Sequence, residues 1–467
     1  MSGVTSQPDA PDGFWTLARV AQAIGSGPSD NRAVRAISTD TRHVKPGDLF
    51  VALKGDNFDA HEFLHQAVAK GAGAVVVRDA KYGVALGVPV YVVTDTLHAL
   101  GLLGRYRRRA WGRPVIAVGG SNGKTSTKEL IRAALSARLT VHATQGNLNN
   151  QIGVPLTLLA LPDDADIAVI EVGTNTPGEI ALLRTIVEPN IAVVTTVQEE
   201  HLEGFGDLAG VMREEAALLD GVPMAVVPAS ESTLVAEARR RAGRTITAGL
   251  SDGDLAAARF GLATDGRGWI ELDGTRFTVP LRGEHNVRNA MLAMAVAREC
   301  GISIADAGAA IDAIDVSALP QMRSAVTPLG AALIINDAYN SNPGSARAAL
   351  ALLEAVGAGR QRVAVLGTMR ELGAQGARAH REIAQAALDS GAELIAGIGD
   401  FAVVLTEMGK AQGRDARVIT ASDVEELWPQ LAPKLTPTAA ILLKASRGVR
   451  LERLVPLLSA WADGQGH

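Results

Sequence analysis

"VGGSNGKTSTKEL", residues 118–130, is a glycine-bearing loop with Lys-Thr directly behind its last glycine. Just before it, Pro114–Val118 (PVIAV) is a short apolar, β-branched run that reads as a buried strand. Just after it, Ser126–Leu139 holds helix formers and neither glycine nor proline. Strand, glycines, Lys-Thr and helix, in that order, make a phosphate-binding loop. Backbone N–H groups and the helix N-terminus face an anion, the lysine reaches the outer phosphates, and the threonine hydroxyl meets Mg²⁺. Val118 stands where the common pattern has its first glycine. A plain strand-to-helix turn accounts for the glycines but not for Lys124-Thr125. The loop therefore predicts a nucleoside triphosphate held by Gly120, Ser121, Asn122, Gly123, Lys124, Thr125 and Ser126, but it names no reaction.

A chain of 467 residues exceeds what one core organises, so two to four domains are expected. Hydrophobic residues at 47% and charged residues at 20% describe a soluble globular protein. With 49 glycines and 4% aromatics, an α/β enzyme with tight loops fits better than an all-β module. A net charge of −5 argues against nucleic-acid binding, which needs a basic face. The single cysteine, Cys300, excludes an internal disulfide and a thiolate metal site, and points to a reducing cytoplasm. The N-terminal MSGVTSQPDAPDG has no apolar core for a signal peptide, and no apolar run reaches membrane-span length. The expectation is a soluble, cytoplasmic protein with no membrane span.

Outward from the loop, the chain divides into three stretches. Residues 1–110 carry short strand signals, AGAVVV (72–77) and VPVYVV (88–93), between helical segments. They end in a basic segment, RYRRRAWGR (105–113), read as a solvated helix end. Residues 111–320 alternate helices with the apolar runs PVIAV, DIAVIEV (166–172), NIAVVTTV (190–197) and MAVVP (224–228). Such runs predict a parallel sheet covered on both faces, with ligands beyond the carboxyl ends of its strands. Residues 321–467 repeat the scheme with AALIIND (331–337), RVAVLG (362–367), LIAGIG (394–399) and AAILLKAS (439–446), as in a smaller Rossmann-like domain lacking the dinucleotide fingerprint.

Several residue clusters fall on strand ends. Glu171 closes DIAVIE, where a carboxylate reaches a Mg²⁺ held by Thr125. His201, in EEHLEGFG, follows NIAVVTTV on the same rim. TQGNLNNQIGVP (144–155) is dense in amides suited to sugar hydroxyls, a pyrophosphate or peptide groups. STDTRHVKPGDLFVALKG (38–55) offers Ser38 and Thr41 with Arg42 just after them, a candidate phosphate or uracil contact. GEHNVRNA (283–290) sets Asn286 and Asn289 on one helix face, and NDAYNSNPGS (336–345) puts Asp337 before a polar turn. Lys444 and Arg447 are cations at another strand end.

In this order the motifs resemble the Mur ligases, ATP-dependent amide-forming enzymes of peptidoglycan precursor synthesis, from about residue 37 to the C-terminal helix. GGSNGKTSTKE, TQGNLNNQIGVP, HLEGFGDLAG, DAYNSNPGS and the ELG of GTMRELG are closest to the branch that joins D-Ala-D-Ala to UDP-MurNAc-tripeptide. The D-N-P-R motif of the branch adding diaminopimelate or lysine is absent. The resemblance implies a small N-terminal α/β domain for the UDP substrate, a central P-loop domain for ATP and a C-terminal Rossmann-like domain for the amine. It implies ATP and Mg²⁺ as cofactors and a monomer as the working form. Carried over by position, Lys124 and the loop backbone hold phosphates, Thr125 and Glu171 hold one Mg²⁺, and His201 approaches a second. Asn286 and Asn289 lie by the nucleotide, with Arg323 and Asp337 contacting it from the third domain. Ser38, Thr41, Arg42, Thr144, Asn147 and Asn150 face the UDP substrate, while Tyr339, Asn340 and Asn342 serve the amine. A sister or folylpolyglutamate-type ligase is the alternative enzyme. A non-catalytic nucleotide-binding relative would have lost Lys124, Thr125 or Glu171, and none is lost.

Four positions depart from the family pattern. Gly119 and Thr368 replace the usual threonine and aspartate, and Ala445 a usual glycine. Fourteen positions after the motif histidine the family usually carries a lysine, carbamylated so that its new carboxylate helps bind the second Mg²⁺. Here that count from His201 reaches Glu215. Glu215 is either a solvated helix charge or a built-in substitute for the carbamate, and the second is the expectation.

Overall fold

A computed structural model describes residues 13–55, 57–319 and 325–464. The loop strand, Val115–Gly119, lies inside a seven-stranded, all-parallel sheet. Ile167–Glu171 flanks it on one side and Ile191–Val194 on the other. The next strand along the chain, Val141–Ala143, pairs outside Ile167–Glu171, while Met224–Pro228, Arg244–Gly249 and Leu255–Ala256 extend the opposite wing. The strand order therefore reverses at Val115–Gly119, and ligands of such sheets bind in the crevice beyond that point. Alternate residues feed two cores. Val115 and Ala117 pack with the helices Gly153–Leu159 and Glu179–Val187, whereas Ile116 and Val118 pack with Lys124–Ser136 and Glu284–Glu299. A strand covered on both faces favours apolar residues along its length, which is why PVIAV reads so plainly.

The smaller N-terminal sheet is parallel, in the order Ile37–Ser38, Leu49–Val51, Ala74–Val77, Val90–Val92. Its last helix, Thr96–Trp111, runs straight to the loop strand. RYRRRAWGR is a solvated helix end only in part, with Arg109 exposed. Arg107 and Arg108 are buried. Arg108 donates from Nε to the Val187 carbonyl (2.9 Å) and from Nη2 to that of Glu188 (2.9 Å). Arg105 and Arg109 hold the Glu188 carboxylate. The cause lies in the neighbouring helix: the last carbonyls of Glu179–Val187 need donors, and a cation at that end also suits its dipole.

The C-terminal sheet has six strands in the order Ala325–Leu329, Ala332–Asp337, Ala440–Lys444, Arg362–Gly367, Leu394–Ile398, Val418–Ala421. All its pairs are parallel except the first, an antiparallel hairpin. A further antiparallel sheet, Arg259–Leu262, Arg267–Leu272 and Thr275–Arg282, interrupts the expected strand–helix alternation before helix Glu284–Glu299. It carried a readable signal: Asp265-Gly266 and Asp273-Gly274 are Asp-Gly turns between alternating runs. Asp273 (φ 46°) and Gly274 (φ 75°) do adopt the left-handed backbone of such hairpins.

Candidate nucleotide and acyl-transfer site

The loop is shaped by its glycines. Gly120 has φ 113°, and a Cβ there would stand 2.4 Å from the Thr195 hydroxyl oxygen. Gly123 (φ 82°) opens helix Lys124–Ser136 with no side chain capping it, so the first amides are left for a ligand. Lys124 Nζ folds back onto the carbonyl oxygens of Gly120 (2.5 Å) and Ser121 (3.2 Å). Behind the loop, Thr125 Oγ1 donates to Glu171 Oε1 at 3.0 Å, and Asn149 Nδ2 donates to the same oxygen at 2.9 Å. Glu171 is fully buried and its Oε2 has no hydrogen-bond partner. A buried carboxylate oxygen without a hydrogen bond is costly, and beside a threonine hydroxyl it forms an oxygen donor set suited to a hard divalent cation.

Thr144, expected at the UDP substrate, is buried beneath this pair. Its hydroxyl accepts the Glu171 N–H (2.9 Å) and its carbonyl accepts Lys128 Nζ (2.7 Å). Lys128 itself is wholly buried, with Nζ 4.0 Å from Glu171 Oε2. Nothing in the sequence pattern distinguished it from a surface lysine of the loop helix.

Glu215 is 1% exposed, which rules out a solvated helix charge. Its Oε2 accepts the N–H of Gly120 at 2.7 Å, and its Oε1 has no partner. Burial pushes its carboxyl above the usual range, against the pull of Lys124. The nearby Glu200 is pushed up to about 8, again chiefly by burial. Gly119 makes room for Glu215. A Cβ at 119 would lie 2.8 Å from Leu218 Cδ2 and 3.3 Å from Glu215 Oε2. Its backbone is not left-handed, so space rather than conformation is what the glycine provides.

Gly123, Asn122 and Ser126 line a cavity of about 360 Å³ between the central and C-terminal sheets. Asn286 and Asn289 stand on its central side, and Asp337, Tyr339 and Asn340 on the other. Asn289 crowds the loop: a Cβ at Gly123 would meet its Nδ2 at 2.9 Å. The sequence reading missed two titratable groups of this wall, His285 and Glu231. Burial lowers the His285 pKa and raises that of Glu231. His285 is only one residue from a motif asparagine, whereas Glu231 lies in an unremarkable turn. Lys444, buried, pairs with Asp337 at 2.9 Å.

The C-terminal unit touches the loop directly. Asn122 and Asn342 exchange side-chain hydrogen bonds of 3.1 and 3.0 Å, and Asn342 also caps helix Pro343–Val356. Asn147 Nδ2 donates to the Tyr339 hydroxyl at 3.1 Å. His201 does not join Glu171; its Nδ1 donates to Glu371 of the C-terminal unit. Burial lowers the His201 pKa, opposed by Glu371. Among the described residues no group of three or more His, Cys, Asp or Glu side chains gathers as a metal cluster. Arg323 lies outside the described residues.

Ser38, Thr41 and Arg42 sit at the carboxyl rim of the N-terminal sheet, away from the cavity. Arg42 forks onto Asp40 with bonds of 3.0 and 2.6 Å while its side chain stays 67% exposed. The Thr41 carbonyl accepts Lys70 Nζ (2.9 Å). Asn150 Oδ1 accepts the N–H groups of Ile152 and Gly153, starting helix Gly153–Leu159.

Comparison with known proteins is consistent along the chain. Residues 33–108 match the Mur ligase family catalytic domain, 118–297 the Mur ligase middle domain, and 322–447 the Mur ligase glutamate ligase domain. The UDP-N-acetylmuramoyl-tripeptide–D-alanyl-D-alanine ligase of Bacillus subtilis is 32% identical over 432 residues, covering 91% of this chain and 93% of that one. A crystal structure of MurF from Acinetobacter baumannii superposes with a TM-score of 0.87 at 30% identity, over 97% of this chain and 100% of that one. The MurF ligase of Thermotoga maritima, solved in complex with ADP, gives a TM-score of 0.80 at 25% identity, covering 93% and 99%. By sequence over nine-tenths of its length and by fold, the chain belongs to the Mur ligase family.

Proposed function

We propose that this chain is the ATP-dependent ligase that joins D-Ala-D-Ala to UDP-MurNAc-tripeptide in cytoplasmic peptidoglycan precursor synthesis. The observation that carries the reading is a phosphate loop opening on a cavity of about 360 Å³, with Thr125 and buried Glu171 behind it and the C-terminal unit across it. In this reading residues 1–110 take the UDP end, 111–320 take ATP, and 321–467 bring the amine. The enzyme works as a monomer. Among the described residues no helix is long and apolar enough to cross a membrane, which agrees with small dissolved substrates.

A peptide carboxylate is a poor acyl donor. Transfer of the γ-phosphoryl group of ATP to a carboxylate oxygen releases ADP and makes an acyl phosphate. The attacking carboxylate and the phosphates are all anionic, so positive charge must stand between them. Lys124 is placed to supply it by leaving the loop carbonyls it now holds. Thr125 and Glu171 would hold Mg²⁺, and the unpartnered Glu171 Oε2 supports that assignment. Glu215 offers a second unpartnered carboxylate oxygen, in the place of the family's carbamylated lysine, with His201 on the same rim. When bound, Mg²⁺ neutralises charge on the transferring phosphoryl group. The amine of D-Ala-D-Ala then attacks the acyl carbon, phosphate leaves and the amide remains. Tyr339, Asn340 and Asn342 stand on the side from which that amine arrives, and docking of their unit would hold it in line.

A phosphate-release assay tests the reading. With ATP and Mg²⁺ present, release should require UDP-MurNAc-tripeptide and D-Ala-D-Ala together. Full-rate release with either alone, or equal turnover with another amino acid in place of D-Ala-D-Ala, would sink it.

A further inference from the structure

We propose that Glu371 is a positioning residue: carried by the C-terminal unit, it fixes the ring of His201 beside the phosphate loop, so that the central site is completed only when that unit is docked. The inference rests on the function proposed above.

His201 belongs to the central unit and Glu371 to the segment after strand Arg362–Gly367. The carboxylate accepts and the ring Nδ1 donates, so Nδ1 carries the proton and Nε2 is left as the ring's acceptor. Nε2 then faces the carboxyl of Glu200, 4.0 Å away, on the side of Lys124 and Glu215. The Phe205 ring stands edge-on to the imidazole at 6.2 Å.

This contact is one of several along a single seam. The Glu203 N–H donates to the Glu371 carbonyl at 3.1 Å, and Arg378 reaches Glu199 at 2.5 Å. Gly373 (φ 50°) lies so close that a Cβ would meet Glu203 Cα at 3.2 Å. Both partners adopt left-handed backbone, His201 at φ 48° and Glu371 at φ 65°. Residues bearing side chains rarely do so, and they persist where surrounding structure imposes it, often at functional sites. Two such residues touch here across a boundary between units. Glu371 is 58% exposed on its side chain, so the pair contributes little to holding the units together. Its effect is on the ring. A carboxylate that fixes one ring nitrogen sets the tautomer and aim of the other, and losing such a partner typically costs ~10- to 100-fold in activity.

The test compares Glu371→Ala, Glu371→Gln, His201→Ala and the double variant His201→Ala/Glu371→Ala in the full chain. Glu371→Ala should lower kcat by ~10- to 100-fold and leave KM for ATP unchanged. Glu371→Gln, whose amide oxygen still accepts from Nδ1, should recover most of the rate. The double variant should be no slower than His201→Ala, because Glu371 acts through the ring. A second readout needs no turnover. Ring ¹³C and ¹⁵N shifts of nucleotide-free protein, with His201 assigned through His201→Gln, should show the Nδ1–H tautomer in the wild type and Nε2–H in Glu371→Ala. An unchanged tautomer, or rate losses that multiply in the double variant, overturns the proposal. A wild type that ligates nothing would instead overturn the proposed function, and the tautomer measurement would still decide the role of Glu371.

Discussion

Glu214 and Glu215 stand side by side on helix Leu208–Ala216, and both are buried. Glu214 accepts the N–H groups of Gly178 (2.7 Å) and Ile180 (2.8 Å), tying down the start of helix Glu179–Val187. Glu215 accepts one loop amide and keeps one oxygen unpaired. Glu214→Gln should therefore cost stability, on the order of 1–2 kcal/mol, with kcat of the folded fraction nearly intact. Glu215→Gln, which keeps an acceptor for Gly120 but removes the charge, should keep its denaturation midpoint and lose most of its rate. Urea unfolding and initial rates on both variants check the split, and added bicarbonate should change neither rate. Lys124→Ala should lower turnover by ~10²- to 10³-fold without unfolding, since the hydrogen bonds of its Nζ go to two loop carbonyls. An unfolded variant or near-normal turnover would refute the role of Lys124. Lys124, Thr125 and Glu171 were legible in the sequence because a loop and a strand end fix their places locally. Glu231, His285 and Lys128 were not, because what distinguishes them is a neighbour distant in the chain.

Among elements, the buried parallel strands were the readable ones: continuous apolar runs have few other uses in a soluble chain. The hairpins of residues 259–282 carry their own local signal in the Asp-Gly pairs at their turns. The arginines of helix Thr96–Trp111 could not be read, because what they cap is a helix some 80 residues away in sequence. Leu156 and Leu159 of helix Gly153–Leu159 also pack with Leu100 and Leu103 of that helix. Arg108→Ala would strip donors from the Val187 and Glu188 carbonyls and from Asn190. It should destabilise the protein by about 2 kcal/mol, read as a lower urea midpoint. A midpoint equal to wild type would mean that water satisfies those carbonyls.

At the scale of the molecule, the candidate contacts for the UDP substrate and for ATP lie on different sheets. Arg42 sits on the N-terminal rim, and the nucleotide cavity lies between the other two sheets. Arg42→Ala should thus raise KM for the UDP-muramyl peptide by about tenfold, the scale of one lost charge-assisted contact, and leave KM for ATP within error. An equal rise in both would show Arg42 acting through the fold. The order of units along the chain could be read from its motifs. How they meet could not, because the Asn122–Asn342 and Asn147–Tyr339 pairs join residues 220 and 192 positions apart.

The slot beside Gly119 also constrains how this protein can change by descent. While Glu215 and Leu218 fill that space, a side chain at 119 must displace one of them. The same threonine that resembles the rest of the family is then harmful or neutral according to what already stands at 215 and 218. Mutational paths through these positions are ordered: larger residues at 119 become open only after 215 or 218 has changed. A selection for growth on a library varied at 119 alone should return mostly glycine and other small residues. A library varied at 119, 215 and 218 together should return bulkier residues at 119, each with its own companions.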